Sequence, residues 1–523
     1  MFLAGAANAL AFAPLNLWPV QLVCLTGLFV VLAQTSTVSR IRLWTWLYCN
    51  AWLFFGVIWL TVTMYRYGDM PVWLAFLAVA LFTSCLALIP AFLMGLAKPL
   101  ALQFCQRFFP LHADANADAD PNALKTRETF LLFLAFYPLC WSLAEWVRGW
   151  LFTGFPWLVS GYAHTNSPLA GYAPVIGVYG ISWLVALLAG AIVVWRRNTL
   201  FFAAGILLIG TGLQHYHWTA PSGAPITVRL LQGNVDQNIK FEQEHIIDSL
   251  QFYYHAILAK PADLIVTPES ALPVTLANLP EAYIGNLQTF AMHTQSHIAL
   301  GLFGYDGTDR YSNSVFGIAP TLALYRYNKH HLVPFGEFKP WGFAWFYQFM
   351  RIPMGDLERG ALLSAPFAVK DQQILPTICY EDVFGEEIAA RIADRATNKL
   401  SLPSIMLNMT NLAWFGDSWA LPQHLQIAQM RTLEMGRPML RSTNTGATAL
   451  INAQGKVEQQ LTPFTRGELD VTVQGYQGLT PYILYGNRLW LGCMLLALMA
   501  TLIATIFITP KVAQQRPNDV SPP

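Results

Sequence analysis

The sequence predicts a multi-pass α-helical membrane domain of about eight helices joined to one α/β layered domain. Three observations carry that reading. Only 12% of the 523 residues are charged, against 54% hydrophobic, whereas a soluble domain carries about 25% charged residues. The missing charge is unevenly spread: long apolar runs fill 1–215 and recur at 487–509, while 218–485 reads as an ordinary globular sequence. Within 218–485, short β-rich runs alternate with amphipathic stretches, the pattern of a layered α/β domain. The expected organisation is spanning helices over 1–217, a soluble domain over 218–485, a last span over 486–510 and a disordered cytoplasmic tail over 511–523. A net charge of +1 gives nucleic acid no electrostatic footing.

Candidate spans lie at 17–34, 43–63, 72–97, 129–147, 171–195, 199–216 and 487–509. At about 1.5 Å per residue each approaches the ~30 Å hydrocarbon core. An eighth apolar segment, 1–15, is limited by Pro14 and Pro19 and lacks the basic start of a signal peptide, so it reads as a shortened first helix. With the N-terminus inside, cytoplasmic loops hold Arg40, Arg42, Lys98, Arg107, Lys125, Arg127, Arg196, Arg197, Lys511 and Arg516. The opposite loops hold only Arg66, Arg148 and Arg488. Basic residues favour the cytoplasmic side, which puts 218–485 outside the cytoplasm and both termini inside.

In the Ala/Asp repeat His112–Pro121, Asp114, Asn116 and Asp118 imitate the start of a calcium loop. Ala119 stands where that loop needs glycine and Lys125 where it needs a bidentate glutamate, so calcium is rejected. Strands are expected at Ile226–Leu231, Leu264–Thr267, Ile298–Phe303, Ser314–Ile318, Ile374–Cys379 and Ile405–Asn408. Helices are expected at 243–258, 281–293, 385–395 and 420–436, with hairpin signals near 444–470. Of seven cysteines, Cys379 alone falls in the soluble domain. It has no internal disulfide partner there, which flags it as a reactive thiol.

Three reactive side chains follow apolar strands: Glu269 after Leu264-Ile-Val-Thr-Pro, Lys329 after Arg326-Tyr-Asn, and Cys379 after Ile374-Leu-Pro-Thr-Ile. Strand ends converge at one edge of a layered α/β fold, where ligands collect. A thiol of ordinary pKa about 8.5 needs activation at neutral pH. Glu269 can accept its proton, and the Lys329 cation can favour the thiolate and steady a tetrahedral intermediate. The backbone N–H of Tyr380 is a second oxyanion donor, Glu337 can orient the lysine or bridge to Glu269, and Glu381 follows in the Cys-Tyr-Glu-Asp run.

The run TPES at 267–270, YNK at 327–329 with PFGE at 334–337, and CYED at 379–382 resembles the nitrilase (carbon–nitrogen hydrolase) superfamily. That resemblance implies an αββα sandwich, with Glu269 as base, Lys329 as charge stabiliser and Cys379 as nucleophile. Ala144-Glu-Trp-Val-Arg148-Gly-Trp-Leu-Phe-Thr-Gly-Phe-Pro156-Trp and Gly177-Val-Tyr-Gly-Ile-Ser182 are similar to motifs of apolipoprotein N-acyltransferases. So are Leu231-Gln-Gly-Asn234, Asn408-Met-Thr-Asn411 with Trp414-Phe-Gly, and Arg441-Ser-Thr-Asn444-Thr-Gly. The resemblance implies a two-step reaction in a bacterial inner membrane, with a periplasmic catalytic domain. Cys379 takes an acyl chain from a phospholipid, usually the sn-1 chain of phosphatidylethanolamine, and passes it to the α-amino group of a diacylglyceryl-cysteine on a lipoprotein. One departure stands out: Phe241 follows Lys240 where the family generally has tryptophan, which keeps the ring and loses the indole N–H.

Residues 338–354 hold Phe338, Trp341, Phe343, Trp345, Phe346, Phe349, Met350, Ile352 and Met354, read either as a core helix or as a lid meeting acyl chains. Phe241, Trp341, Trp345 and Trp414 are the candidates for lipid contact. A membrane-tethered amidase or nitrilase would use the same triad with water as acceptor. A transporter would need ionisable residues inside the spans; here Glu145 and Arg148 sit at the outer end of one helix, placed to pair or to meet head groups. The adjacent His330 and His331 lack companions at ligand spacing, so no metal and no cofactor are implied, and a monomer is expected.

Overall fold

The computed structural model describes residues 1–108, 121–237, 240, 242–307, 310–321, 324–340, 342 and 356–506. Each segment expected to span is helical, with edges that differ. Helices run over Phe2–Asn8, Trp18–Ala33, Val38–Gly56, Leu60–Tyr67, Val72–Phe108, Ala173–Val194, Arg197–Leu213 and Asn487–Ile506. A further helical run covers Pro121–Arg148, with a π turn at Leu132–Phe136. Four helices are long and apolar enough to cross a membrane, five if the pair 38–56 and 60–67, bent by 55°, is one span. The eight-span expectation is therefore corrected in length. Phe2–Ala11, Trp18–Ala33 and Arg197–Leu213 are shorter, and ten residues reach only about 15 Å. Val72–Phe108 exceeds its expected 72–97, so Lys98 and Arg107 ride on a continuing helix instead of a loop.

Fourteen strands follow among the described residues: β1 (Thr219–Pro221), β2 (Ile226–Gln232), β3 (Leu264–Val266), β4 (His297–Tyr305), β5 (Tyr311–Ile318), β6 (Leu324–Asn328), β7 (Phe367–Val369), β8 (Gln372–Ile378), β9 (Ile405–Thr410), β10 (Met439–Thr443), β11 (Ala449–Ile451), β12 (Val457–Gln460), β13 (Gly467–Val473) and β14 (Tyr476–Gly478). Two six-stranded sheets result, ordered β13-β2-β3-β4-β5-β6 and β12-β11-β10-β9-β8-β7. Their inner faces share one apolar core, in which Val228, Leu264 and Val266 of one sheet join Ile374, Ile405 and Leu407 of the other. Strands with both faces covered read as near-continuous apolar runs, which is why β3 and β9 were visible in the sequence. Helices 243–259 and 281–294 cover the first sheet, and 385–397 and 420–435 the second. The layers are therefore αββα.

β1 pairs antiparallel with β14, so the two ends of this domain lie together where helices Arg197–Leu213 and Asn487–Ile506 adjoin it. Helix Ala420–Met435 rests on the membrane helices through buried polar bonds. Gln423 accepts from the indoles of Trp59 (3.0 Å) and Trp157 (2.8 Å) and donates to the Gly56 carbonyl. Glu434 accepts from the Val178 N–H at 2.8 Å. That N–H is freed because Gly177, at φ 66°, breaks the helix; a Cβ there would lie 2.3 Å from the Tyr482 ring.

Candidate active site

β3, β6 and β8 deliver the three reactive side chains. Lys329 immediately follows β6, Cys379 immediately follows β8, and Glu269 lies three residues past β3. β3 and β6 belong to one sheet and β8 to the other, so the cysteine reaches the acid–lysine pair from the opposite layer. Cys379 (φ 51°) and Ser270 (φ 44°) hold left-handed backbone conformations, a strain of about 1–3 kcal/mol each that the surrounding structure must impose.

Lys329 is 1% exposed. Its ammonium donates to Glu337 Oε1 at 2.9 Å and lies 3.3 Å from Glu269 Oε1. Glu337 also accepts from the Val333 N–H at 2.8 Å, which fixes it as the group that orients the lysine. Asn313 on β5 completes the cluster. Its side-chain amide donates to Glu269 Oε1 (2.7 Å) and Glu337 Oε1 (2.9 Å), and its backbone carbonyl accepts from the Lys329 backbone N–H. The second oxygen of Glu269 accepts from the Asn411 N–H at 2.8 Å. A base fixed by three neighbours presents one geometry to the thiol.

Glu381 is a tie rather than a reactive group. Its carboxylate accepts from the Tyr327 hydroxyl and from the N–H groups of Ile378, His330 and His331. It locks the turn bearing Cys379 to the loop bearing Lys329. Tyr380 sends its hydroxyl to the Gly154 carbonyl, and His331 Nε2 meets the Thr153 carbonyl. The 149–157 loop of the membrane part is thereby stitched to both sides of the site.

Burial works against charge on Lys329, but Glu337 and then Glu269 overcome it and hold the ammonium above its usual range. Burial, then Glu269, push the Cys379 thiol up to about 12, while Lys329 and Thr410 pull less strongly the other way. The resting sulfur is therefore a thiol. Lys329 pulls toward the thiolate, but burial and Glu269 outweigh it, so the proton must leave as the sulfur attacks.

The triad, Glu337, Glu381 and Tyr380 come together as expected. Trp414 packs edge-on against Tyr67, and its carbonyl accepts from Thr63; it joins the catalytic domain to the membrane helices. Phe241, Trp341 and Trp345, with most of the 338–354 segment, lie outside the described residues. Glu145 and Arg148, expected to pair or to meet head groups, form no direct ion pair among the described residues. Both are buried: Glu145 accepts from the Ser160 N–H and hydroxyl, and Arg148 donates to the Phe155 and Trp157 carbonyls. Sequence reasoning missed Asn313, although a buried Ser-Asn-Ser run inside a strand is a signal for it. Asp382 and Arg441 stand in the CYED and Arg441-Ser-Thr-Asn444 motifs without an assigned role, and His424 was missed outright. Asp382 accepts from Arg441 and pairs with His424 Nε2 at 2.6 Å, behind the cysteine turn.

Two family models match the chain: the apolipoprotein N-acyltransferase N-terminal domain over residues 4–191, and carbon-nitrogen hydrolase over 227–482. The apolipoprotein N-acyltransferase of Ralstonia nicotianae is 44% identical, covering 96% of this chain and 92% of its own. That of Nitrosomonas europaea is 38% identical, covering 96% of each. A solved CN-hydrolase superfamily protein from Xanthomonas campestris is 16% identical with a TM-score of 0.37, covering 52% of this chain and 97% of its own.

Proposed function

The chain belongs to the apolipoprotein N-acyltransferase family, and from that premise we propose that Cys379 carries an acyl group from a membrane phospholipid to the α-amino group of a diacylglyceryl-apolipoprotein. The observation that carries the reading is the buried Glu269–Lys329–Glu337 cluster beside Cys379, in a domain seated on membrane helices. As the sulfur attacks the ester carbonyl, its proton passes to Glu269. The oxyanion is held by the Lys329 ammonium and the Tyr380 N–H. Collapse expels the lysophospholipid alkoxide, which recovers the proton from Glu269, and leaves the thioester. The acceptor amine then attacks; Glu269 takes its proton and returns one to the departing sulfur. Burial of the site favours the amine over water.

In this reading residues 218–485 form the catalytic domain, held between spans in 1–217 and the span over 486–510. The ten-to-three bias of basic residues supports a periplasmic catalytic domain and cytoplasmic termini in a bacterial inner membrane. The test is intact mass spectrometry of wild type and Cys379→Ser purified from membranes. A mass raised by one fatty acyl group, sensitive to neutral hydroxylamine and absent from the variant, is expected. A diacylglyceryl lipopeptide should clear the adduct and gain the chain. Discharge as free fatty acid instead would make the protein an amidase-like hydrolase.

A further inference from the structure

Lys240 stands outside the reaction just described, yet it is 3% exposed. Its ammonium donates to the Ser270 hydroxyl at 2.8 Å. Ser270 directly follows Glu269 and holds the left-handed turn there. Among the described residues no carboxylate lies within ion-pair distance of Lys240. Buried ammonium groups are rare unless paired, so its position calls for a reason.

We infer that Lys240 is a positioning residue for acyl-enzyme formation: it pins the Ser270 turn that aims Glu269 and supplies the second cation of the site. The charge count gives the reason. Glu269 and Glu337 bring two negative charges, and Lys329 alone balances one of them. When Glu269 has taken the thiol proton and an oxyanion has formed, the negative charges are Glu337 and the oxyanion. Lys329 and Lys240 together neutralise both. Without the Lys240 charge one negative charge stays unbalanced in the buried site at rest and in the transition state alike, so the effect on the chemical step comes through the Ser270 turn that aims Glu269, which a neutral amine holds less firmly.

The groups about Lys240 set when this charge is present. Burial pulls its pKa down to about 8, opposed by Glu269. Beyond Glu269 stand Lys329, Glu337 and the Cys379 thiol, while Ser270 offers only a hydroxyl. Lys329 is held above its usual range and the thiol is at about 12. A loss of positive charge near pH 8 therefore falls to Lys240.

The inference rests on the acyl-enzyme reading, and the experiment separates the two. The full-length enzyme in detergent is given phosphatidylethanolamine without acceptor, and the acyl adduct is timed by rapid-quench intact mass spectrometry from pH 6 to 10. Wild-type loading is expected to fall above a midpoint near 8. In Lys240→Arg the limb should move beyond pH 9, because guanidinium keeps its charge. Lys240→Met should load about tenfold more slowly at pH 7 and lose the limb. Thermal midpoints of the variants are measured alongside. A limb that is absent, or that stays at 8 in Lys240→Arg while only the thermal midpoint drops, overturns the inference and leaves Lys240 a packing residue. No adduct in wild type at any pH overturns the acyl-enzyme reading itself, and this inference with it.

Discussion

The bridge made by Asn313 gives the sharpest quantitative test of the site. Its amide donates to Glu269 at 2.7 Å and to Glu337 at 2.9 Å, so two carboxylates share one neutral donor beside one lysine. A hydrogen bond to a charged group contributes about 1.5–3 kcal/mol. Losing both removes at least about 3 kcal/mol of order from the base and its partner, a factor of about 10² in rate if it falls on the transition state. Asn313→Asp keeps the shape and does more, replacing the donor by a third carboxylate. Two unit charges about 3 Å apart repel by about 5 kcal/mol at an effective dielectric of 20, so the cluster must take up a proton or splay.

The expected result is thioester formation slowed by at least about 10² in Asn313→Ala and more in Asn313→Asp, read as the rate of the acyl mass adduct at pH 7. Circular dichroism and gel filtration of the isosteric variant check that it is folded. Asn313→Asp loading within about threefold of wild type would refute the argument that this amide holds the base.

Three further outcomes follow from the same geometry. Glu381→Ala strands the N–H groups of Ile378, His330 and His331, at about 1–3 kcal/mol each; it should lower the thermal midpoint and abolish loading, with Glu381→Gln milder. Because the Cys379 thiol is held up at about 12, its alkylation by iodoacetamide should rise about tenfold per pH unit from 8 to 10 without a plateau. Glu269 is one cause of that elevation, so Glu269→Gln should alkylate faster at pH 9 while failing to acylate; a plateau near neutrality would show a preformed thiolate. Gly177→Ala adds a Cβ 2.3 Å from the Tyr482 ring at φ 66° and ψ −176°, a region almost confined to glycine that costs about 1–3 kcal/mol from the backbone alone, and should lower the thermal midpoint in detergent.

What could be read in the sequence were features with a one-dimensional signature. The paired central strands β2, β3, β8 and β9 announce themselves as apolar runs, and the triad stands at their ends or, for Lys329, at the end of a strand whose bounds the sequence did not reveal and whose expected apolar character it lacks. β6 reads Leu-Tyr-Arg-Tyr-Asn, too polar for the signal, because it is the edge strand of its sheet and keeps one side open to polar neighbours. Met439–Thr443, a central strand, was hidden by Arg441, which spends its charge on Asp382 in the interior. Span lengths failed for a related reason. Hydropathy marks where a helix is apolar, but the proline and glycine breaks and the packing of Phe2–Asn8 on its neighbours decide how far it runs. The partners of Asn313 and Lys240 lie 44, 24 and 30 residues away; the Ser-Asn-Ser run marks Asn313 as unusual without saying what it holds, and nothing local points to Lys240.

The height of the Cys379 thiol also decides what Lys329 is for. A lysine whose task is to hold a thiolate should leave its charge free for the sulfur, yet this one donates to Glu337 and sits against Glu269. In the resting enzyme the sulfur keeps its proton. As Glu269 accepts that proton its own charge disappears, and the ammonium loses one of its two carboxylate partners at the moment an oxyanion needs one. The cation is thus released by the same proton transfer that creates the charge it must meet. Such a site is quiet until an ester carbonyl is in place, which suits a nucleophile that must wait for two lipid substrates in turn. Replacing Glu337 by glutamine leaves Lys329 with one carboxylate instead of two, and should therefore bring the thiol down and make Cys379 more readily alkylated near neutral pH.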